Sequence, residues 1–332
     1  MEKQKRKKYD ITQCALYKCR TKRRLSLVLC LDIKELVHIS GIVEYHSFEI
    51  DKKNSDEKRK ITAPNKELKK VQRRILILLQ RVIRPEWLIS GEKGKCYIDN
   101  GKAHINGRYI LTMDIRKFYD HCIREAVYQF FVQKMKTSPD VAKILTDIST
   151  FNAGIPTGCP TSQLIAFYAY YDMFSEIADV ANSHGCVFTL YVDDMTFSCE
   201  KPIRISIMIR EIDCILRKYK HKPKYSKIKY YRPSEYKPVT GTIISPNQIL
   251  LAPNSLQHKI YTGFIKLKTK LFDNNETLSI EEGKELQALN GRIQAARNIE
   301  QGKYPDIKRI IKKSQAVVRF NMINQNRMKN QQ

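Results

Sequence analysis

Apolar and polar positions along the chain fall into stretches of two different periods. Residues 65–83, NKELKKVQRRILILLQRVI, place Leu68, Val71, Ile75, Leu78, Leu79 and Val82 at helical spacing. Lys66, Lys69, Lys70, Arg73 and Arg74 fill the other positions, which predicts an amphipathic surface helix. Residues 123–135 also read as a helix. Residues 161–185, TSQLIAFYAYYDMFSEIADVANSHG, are apolar nearly all round and predict one long core helix. A short helix over 32–40 ends at Gly41. Strands are expected over 43–50, over 109–113 ending on Asp114, and on both sides of Asp193. A charged loop or hairpin tip, DKKNSDEKRK, lies at 51–60. Near the end, Ser279 with Glu282 forms a capping box, followed by Leu286, Leu289, Ile293 and Ala296 on one helix face. A second helix, rich in Lys and Arg, is expected over about 304–318. This order of elements predicts an α+β layer, with helices packed on one face of an antiparallel sheet.

One stretch does not fit a plain structural reading. Leu190 to Ser198, LYVDDMTFS, sets Asp193 and Asp194 side by side between two apolar strand-like runs. Neighbouring carboxylates repel, and burying either is costly without a partner. A β-hairpin with the Asp pair in its turn is the simplest local structure. Asp114 ends another apolar strand 79 residues earlier. If the two strands lie side by side, carboxylates converge at one sheet edge and invite Mg²⁺, a hard cation that takes oxygen ligands.

Charge points the same way. The chain of 332 residues has a formal net charge of +26 and 18 tyrosines, which favours nucleic acid as partner. The excess is not confined to one tail: residues 201–245 alone carry twelve Lys or Arg against three acids. No apolar run reaches the ~18 residues needed to span a bilayer. The opening MEKQKRKKYD is polar and basic, so a soluble cytoplasmic protein is expected. The nine cysteines show no C-x-x-C pair, and reduced, mostly buried thiols are expected.

Several motifs together resemble those of reverse transcriptases, in particular the retron-type bacterial ones. Tyr191-Val192-Asp193-Asp194 is similar to the Y-x-D-D box of that family. MDIRKFYD from Met113 is similar to its earlier aspartate motif, and GIPTGCPTS from Gly154 to the loop before its buried helix. KRKITAP from Lys58 resembles a pattern whose arginine would be Arg59. DNGKAH from Asp99 resembles a retron element, with Asn100 and His104 aligned, and Val239-Thr240-Gly241 matches the retron V-T-G triplet. These fall in the family's order over about residues 30–250. Thr157 stands where glutamine is usual, Gln163 where proline is common, and Gly101 where alanine is usual.

The resemblance implies a right-hand polymerase with fingers, an antiparallel-sheet palm and a helical thumb. The expected boundaries are 1–108 for an N-terminal extension and fingers (with 122–160), 109–245 for the palm, and 246–332 for the thumb and basic tail. Asp114, Asp193 and Asp194 would be catalytic and hold two Mg²⁺ ions, or Mn²⁺, with the Ile115 carbonyl available. Lys52 and Arg59 would neutralise the triphosphate of a dNTP. Tyr119 would sit beneath the sugar, with Thr157 and Gly158 near the nucleotide or template. Lys227 or Lys229 would face the pyrophosphate, the register between them being open. Asn100, His104, Val239, Thr240 and Gly241 would lie near RNA. The implied function is synthesis of DNA on a structured non-coding RNA within a bacterial retron anti-phage system, with the RNA–DNA product and a separate effector protein as partners. Alternatives are a defence-associated enzyme making protein-primed or untemplated DNA, and an RNA-binding module that has lost the chemistry.

Overall fold

The computed structural model describes residues 7–41, 43–51, 58–202, 204–273 and 277–321. In chain order the helices are α1 (Lys22–Leu29), α2 (Ile33–Val37), α3 (Lys66–Leu79), α4 (Tyr97–Ala103), α5 (Phe118–His121), α6 (Arg124–Gln129) and α7 (Pro139–Ser149). They continue with α8 (Ser162–Ala169), α9 (Tyr171–Ser183), α10 (Ile205–Lys218), α11 (Asn254–Phe272), α12 (Ile280–Ile299) and α13 (Pro305–Lys313). The strands are β1 (Tyr45–Asp51), β2 (Lys58–Pro64), β3 (Tyr109–Asp114), β4 (Val187–Tyr191), β5 (Asp194–Cys199), β6 (Lys229–Tyr231), β7 (Lys237–Val239), β8 (Thr242–Ile244) and β9 (Leu250–Leu251). Mixed helices and antiparallel sheets make this an α+β protein, as the patterning predicts. The chain forms two compact units: Met1–Cys96 with Tyr109–Tyr230, and Tyr97–Arg108 with Tyr231–Gln332. That division differs from the boundaries expected at 108 and 245, because residues 97–108 and 231–245 group with the C-terminal helices.

In the first unit, β1 and β2 form an antiparallel ribbon from Tyr45↔Pro64 to Asp51↔Lys58. Asn65 then caps α3, its side chain accepting the Leu68 N–H at 2.8 Å. The helix buries the predicted stripe of Leu68, Val71, Ile75, Leu78 and Leu79. It stops at Leu79 and not at 83. Val82 instead bridges Tyr9, and the Ile83 N–H donates to the Tyr9 carbonyl at 2.9 Å. The helix predicted over 123–135 is α6 followed by a π-helical turn, Phe130–Lys134. The single helix predicted over 161–185 is two, broken at Tyr170. The Tyr170 hydroxyl donates to the His121 carbonyl at 3.0 Å and accepts the Ile123 N–H at 3.1 Å. The break thus joins the helical layer to the segment that follows β3. Sequence patterning did not identify α7, which buries Val141, Ala142, Ile144, Leu145 and Ile148 on one face.

The central sheet has the order β4-β5-β3-β6. Aromatic rings fasten α8 and α9 to it. Trp87 lies 5.9 Å from Phe167 and 5.5 Å from Phe188, and Phe118 lies 5.9 Å from Phe174. Phe188 and Phe197, partners across β4 and β5, stack at 5.0 Å. The same register corrects the reading of the cysteines. Cys186 and Cys199 face each other at the open end of this hairpin, Cα atoms 4.7 Å apart, and are joined by a disulfide. The other seven form no disulfide. Spacing alone hid the pair, because two cysteines thirteen positions apart become neighbours only once the turn is placed.

In the second unit, β7, β8 and β9 form a small antiparallel sheet, and α11, α12 and α13 enclose a core built on Ile260, Leu267, Leu289, Ile293 and Ile311. The expected capping box at Ser279 and Glu282 is formed. The last predicted helix ends at Lys313, and a further helical stretch follows at 315–321. Gly101 on α4 has a structural reason. A Cβ built there would lie 2.3 Å from the Thr242 Oγ1 and 2.9 Å from a Leu250 methyl. The Thr242 hydroxyl is held in that place by donating to the Val239 carbonyl at 2.8 Å. An alanine at this position therefore has no room beside this threonine. Overpacking of a filled site typically costs roughly 1–3 kcal/mol. Gly101→Ala should lower the unfolding midpoint by several degrees in thermal denaturation, and Gly101→Ala with Thr242→Ala should recover most of that loss.

Candidate active site

The register of the central sheet assembles the site. β3 and β5 pair antiparallel with Asp114 opposite Asp194, and β4 and β5 pair with Tyr191 opposite Asp194. Only Val192 and Asp193 remain for the turn, so Asp193 occupies it and Asp194 begins β5. The Ile115 N–H donates to the Asp193 carbonyl at 3.2 Å, tying the turn to the end of β3. All three carboxylates thus meet at one sheet edge. Val192 has a φ of 62°. A positive φ at the first turn position is the II′ signature that glycine normally fills, and it is costly for a β-branched residue.

A second strand of chain closes the other side. The Arg116 N–H donates to the Lys222 carbonyl at 2.9 Å and the Lys224 N–H to the Asp114 carbonyl at 2.7 Å. This brings the Lys227 Nζ to 2.5 Å from the Asp114 Oδ2. Of the two lysines left open by the sequence, Lys227 is the one at the carboxylates. Lys229 lies on β6.

The electrostatics are those of a site short of positive charge. Burial, then the charges of Asp194 and Asp114, push the Asp193 carboxyl up to about 6. Burial and Asp114 push Asp194 upward as well. Burial alone would lower Lys227, but its hydrogen bond to Asp114 and the surrounding carboxylates outweigh that and raise it. Among the described residues, no group of three or more His, Cys, Asp or Glu side chains is gathered as a ready-made metal site. The Lys227 ammonium supplies the counter-charge at Asp114. The donor chemistry nevertheless fits divalent cations: hard carboxylate oxygens, mutually destabilised, at a sheet edge.

The remaining expected residues have varied surroundings. Lys52 lies outside the described residues. Arg59 is on β2, opposite Ile50. Tyr119 is half-buried beside Phe118, ring centres 5.5 Å apart. Thr157 is exposed and its hydroxyl donates to the Lys60 carbonyl at 3.1 Å. The Gly158 N–H donates to the Thr62 carbonyl at 3.1 Å, and a Cβ on Gly158 would lie 2.5 Å from that oxygen. The space beside Gly158 is therefore filled by β2, where the sequence reading expected nucleotide or template.

Asn100 and His104 are fully buried in the second unit, and Val239 is nearly so. These three side chains are not a surface for RNA, which corrects that expectation. The Asn100 Nδ2 donates to the Thr240 Oγ1 at 2.7 Å, so two motifs 140 residues apart join. Burial pushes His104 down to about 3, so it is a neutral core group. Thr240 and the exposed Gly241 turn at φ 41° and 84°, with Tyr97 packed behind the glycine.

Sequence reasoning missed the segment 84–92. Its backbone runs along the free edge of β4: the Leu190 N–H donates to the Trp87 carbonyl at 2.8 Å, and the Ile89 N–H to the Leu190 carbonyl at 3.0 Å. A buried pair, Arg84 Nε with Glu92 Oε1 at 2.5 Å, closes the segment, and Lys8 reaches the same carboxylate at 2.6 Å. No local pattern marks this strap, because its partners lie about a hundred residues away.

The family model "Reverse transcriptase (RNA-dependent DNA polymerase)" matches residues 50–259, more than half of the chain. The chain belongs to the reverse transcriptase family. Its similar curated proteins are retron enzymes. The Retron Se72 reverse transcriptase of Salmonella heidelberg is 28% identical over 182 residues, covering 54% of this chain and 48% of that protein. The Retron Ec86 reverse transcriptase of Escherichia coli is 27% identical over 158 residues, covering 47% and 49%. The Retron Ec48 reverse transcriptase of Escherichia coli is 24% identical over 311 residues, covering 87% and 74%. The chain spans about half the length of the first two. No helix among the described residues is long and apolar enough to cross a membrane.

The raised Asp193 makes cation binding pH-dependent. A carboxyl whose folded pKa lies above its unfolded value, here about 6 against 3.8, favours the fold below the unfolded value. That contribution is lost as pH rises through about 6, where a divalent cation would restore it by binding the ionised form. The rise in melting temperature on adding Mg²⁺ should therefore be larger at pH 7.5 than at pH 5.5. Asp193→Asn should remove most of that difference in differential scanning fluorimetry.

Proposed function

We propose that the chain is an RNA-directed DNA polymerase that copies a structured non-coding RNA by two-metal-ion nucleotidyl transfer, in the bacterial cytoplasm, as part of a retron anti-phage system. The observation that carries this reading is the meeting of Asp114, Asp193 and Asp194 at one sheet edge with Lys227 on Asp114. Two Mg²⁺ ions held there would activate the attacking 3′-hydroxyl and offset charge on the leaving pyrophosphate. Asp114 and Asp193 are the main ligands, and Asp194 adds charge beside them. Lys227, which holds Asp114 here, would face the phosphates when nucleotide is bound, and its ammonium could give a proton to the pyrophosphate oxygen. Arg59 and Lys52 would neutralise the triphosphate. Tyr119 lies beneath the sugar, where its ring leaves no room for a 2′-hydroxyl. Thr157, shorter than the usual glutamine and engaged with Lys60, contributes less to nucleotide contact.

In the second unit, Thr240 and Gly241 offer the RNA-facing turn, and Asn100, His104 and Val239 support it from inside. The basic excess of the chain supports duplex and RNA binding, with the strong salt dependence of phosphate contacts. The retron names of the similar proteins support the retron part of this reading, and a dedicated RNA template and a separate effector protein are proposed with it.

Primer extension on an RNA template tests the chemistry. The parent should extend with dNTPs and Mg²⁺, and Asp193→Asn should lose at least ~1,000-fold in rate; equal rates would remove the polymerase reading. Lys227→Ala should slow turnover by about 100-fold, the scale of general-acid catalysis. Lys229→Ala should stay within about threefold of the parent in the same assay, because Lys227 and not Lys229 is the lysine on Asp114. Sequencing the RNA and DNA that co-purify with the protein tests the retron assignment. Covalently joined RNA and DNA of one defined sequence is expected.

A further inference from the structure

We infer that Ser90 is a positioning residue that holds the catalytic turn in its metal-binding shape; this rests on the polymerase reading above. The Ser90 Oγ accepts the Val192 N–H at 2.8 Å, and the serine is buried. Val192 is the residue at positive φ, immediately before Asp193. A valine leaves that conformation readily unless something holds its amide. The β4–β5 ladder does not, because its last pair is Tyr191 with Asp194. Ser90 does, from a strap that is itself fixed at both ends. Trp87 and Ile89 bond along β4, and Glu92 is clamped by Arg84 and Lys8.

There is room for the turn to move. A cavity of about 70 Å³ adjoins it, lined among others by Ser90, Gly91, Val192, Phe118 and Gln163. If the Ser90 bond is lost, Val192 can relax toward that space and swing Asp193 away from Asp114. The strap therefore stores the geometry of the turn, and the hydroxyl of one serine transmits it. Ser90 touches no reacting atom in this scheme. It acts through the peptide that carries Asp193.

The test uses the full chain with Ser90→Ala, Ser90→Thr, Val192→Gly and the double variant S90A/V192G. Mn²⁺ binding to the protein alone is followed by electron paramagnetic resonance, and kcat and nucleotide KM by primer extension. S90A should bind Mn²⁺ at least ~10-fold more weakly and lose about tenfold in kcat, with KM within about twofold, as befits displacement of a metal ligand rather than of the nucleotide site. S90T, which keeps the hydroxyl, should recover most of both. Glycine accepts positive φ without strain, so in the V192G background S90A should cost less than about threefold. Parent-like Mn²⁺ binding by S90A overturns the inference. So does equal loss in S90A and S90T, or an undiminished loss in the V192G background. If S90A does not fold, the S90T and S90A/V192G proteins decide the matter by the same criteria: parent-like Mn²⁺ binding in both supports it, and weakened binding in either overturns it. Should the parent bind Mn²⁺ more tightly than S90A while neither extends a primer, the positioning role stands and the polymerase reading falls.

Discussion

Repulsion among three carboxylates is the constraint around which the first unit is organised. Asp114, Asp193 and Asp194 come together because β3, β5 and the two-residue turn leave them no other place. Left alone, such a cluster would take up protons or come apart. The chain answers with Lys227 on Asp114, with main-chain bonds from Ile115 and Lys224, and with a strap behind the turn. Aromatic packing of Trp87, Phe118, Phe167 and Phe188 makes the surrounding scaffold stiff enough to hold like charges close. Stability is thus surrendered locally and recovered in the layers beneath.

The parts legible in the sequence are those written in short-range code. The stripe of α3, the apolar run of β3 ending on an acid, and the capping box of α12 each need fewer than twenty residues to be seen. The catalytic hairpin is similar: once Asp193 is placed in a turn, its strands follow. What could not be read depends on partners distant in sequence. Ser90 meets Val192, Cys186 meets Cys199, and Asn100 meets Thr240 only after the chain has folded. Helix ends were missed for the same reason. α3 gives up Val82 to Tyr9, and the long apolar helix breaks where Tyr170 is claimed by His121 and Ile123.

Two glycines, one a departure from the family pattern and one a match to it, become sensible in context. Gly101 makes way for a threonine hydroxyl on β8, and Gly158 makes way for the carbonyl of Thr62. In both cases the missing side chain serves packing inside the protein. Asn100 likewise holds a turn from within, through its bond to Thr240.

The second unit is discontinuous, since Tyr97–Arg108 is separated from Tyr231–Gln332 by most of the first unit. A chain leaving the ribosome therefore meets its two halves at different times. The catalytic sheet has all its strands once β6 has emerged, whereas α4 must wait for β8 before Asn100 and Gly101 find their neighbours. The Asn100 amide thus stays in water until Thr240 has been made, and the second unit can close only after every strand of the central sheet is present.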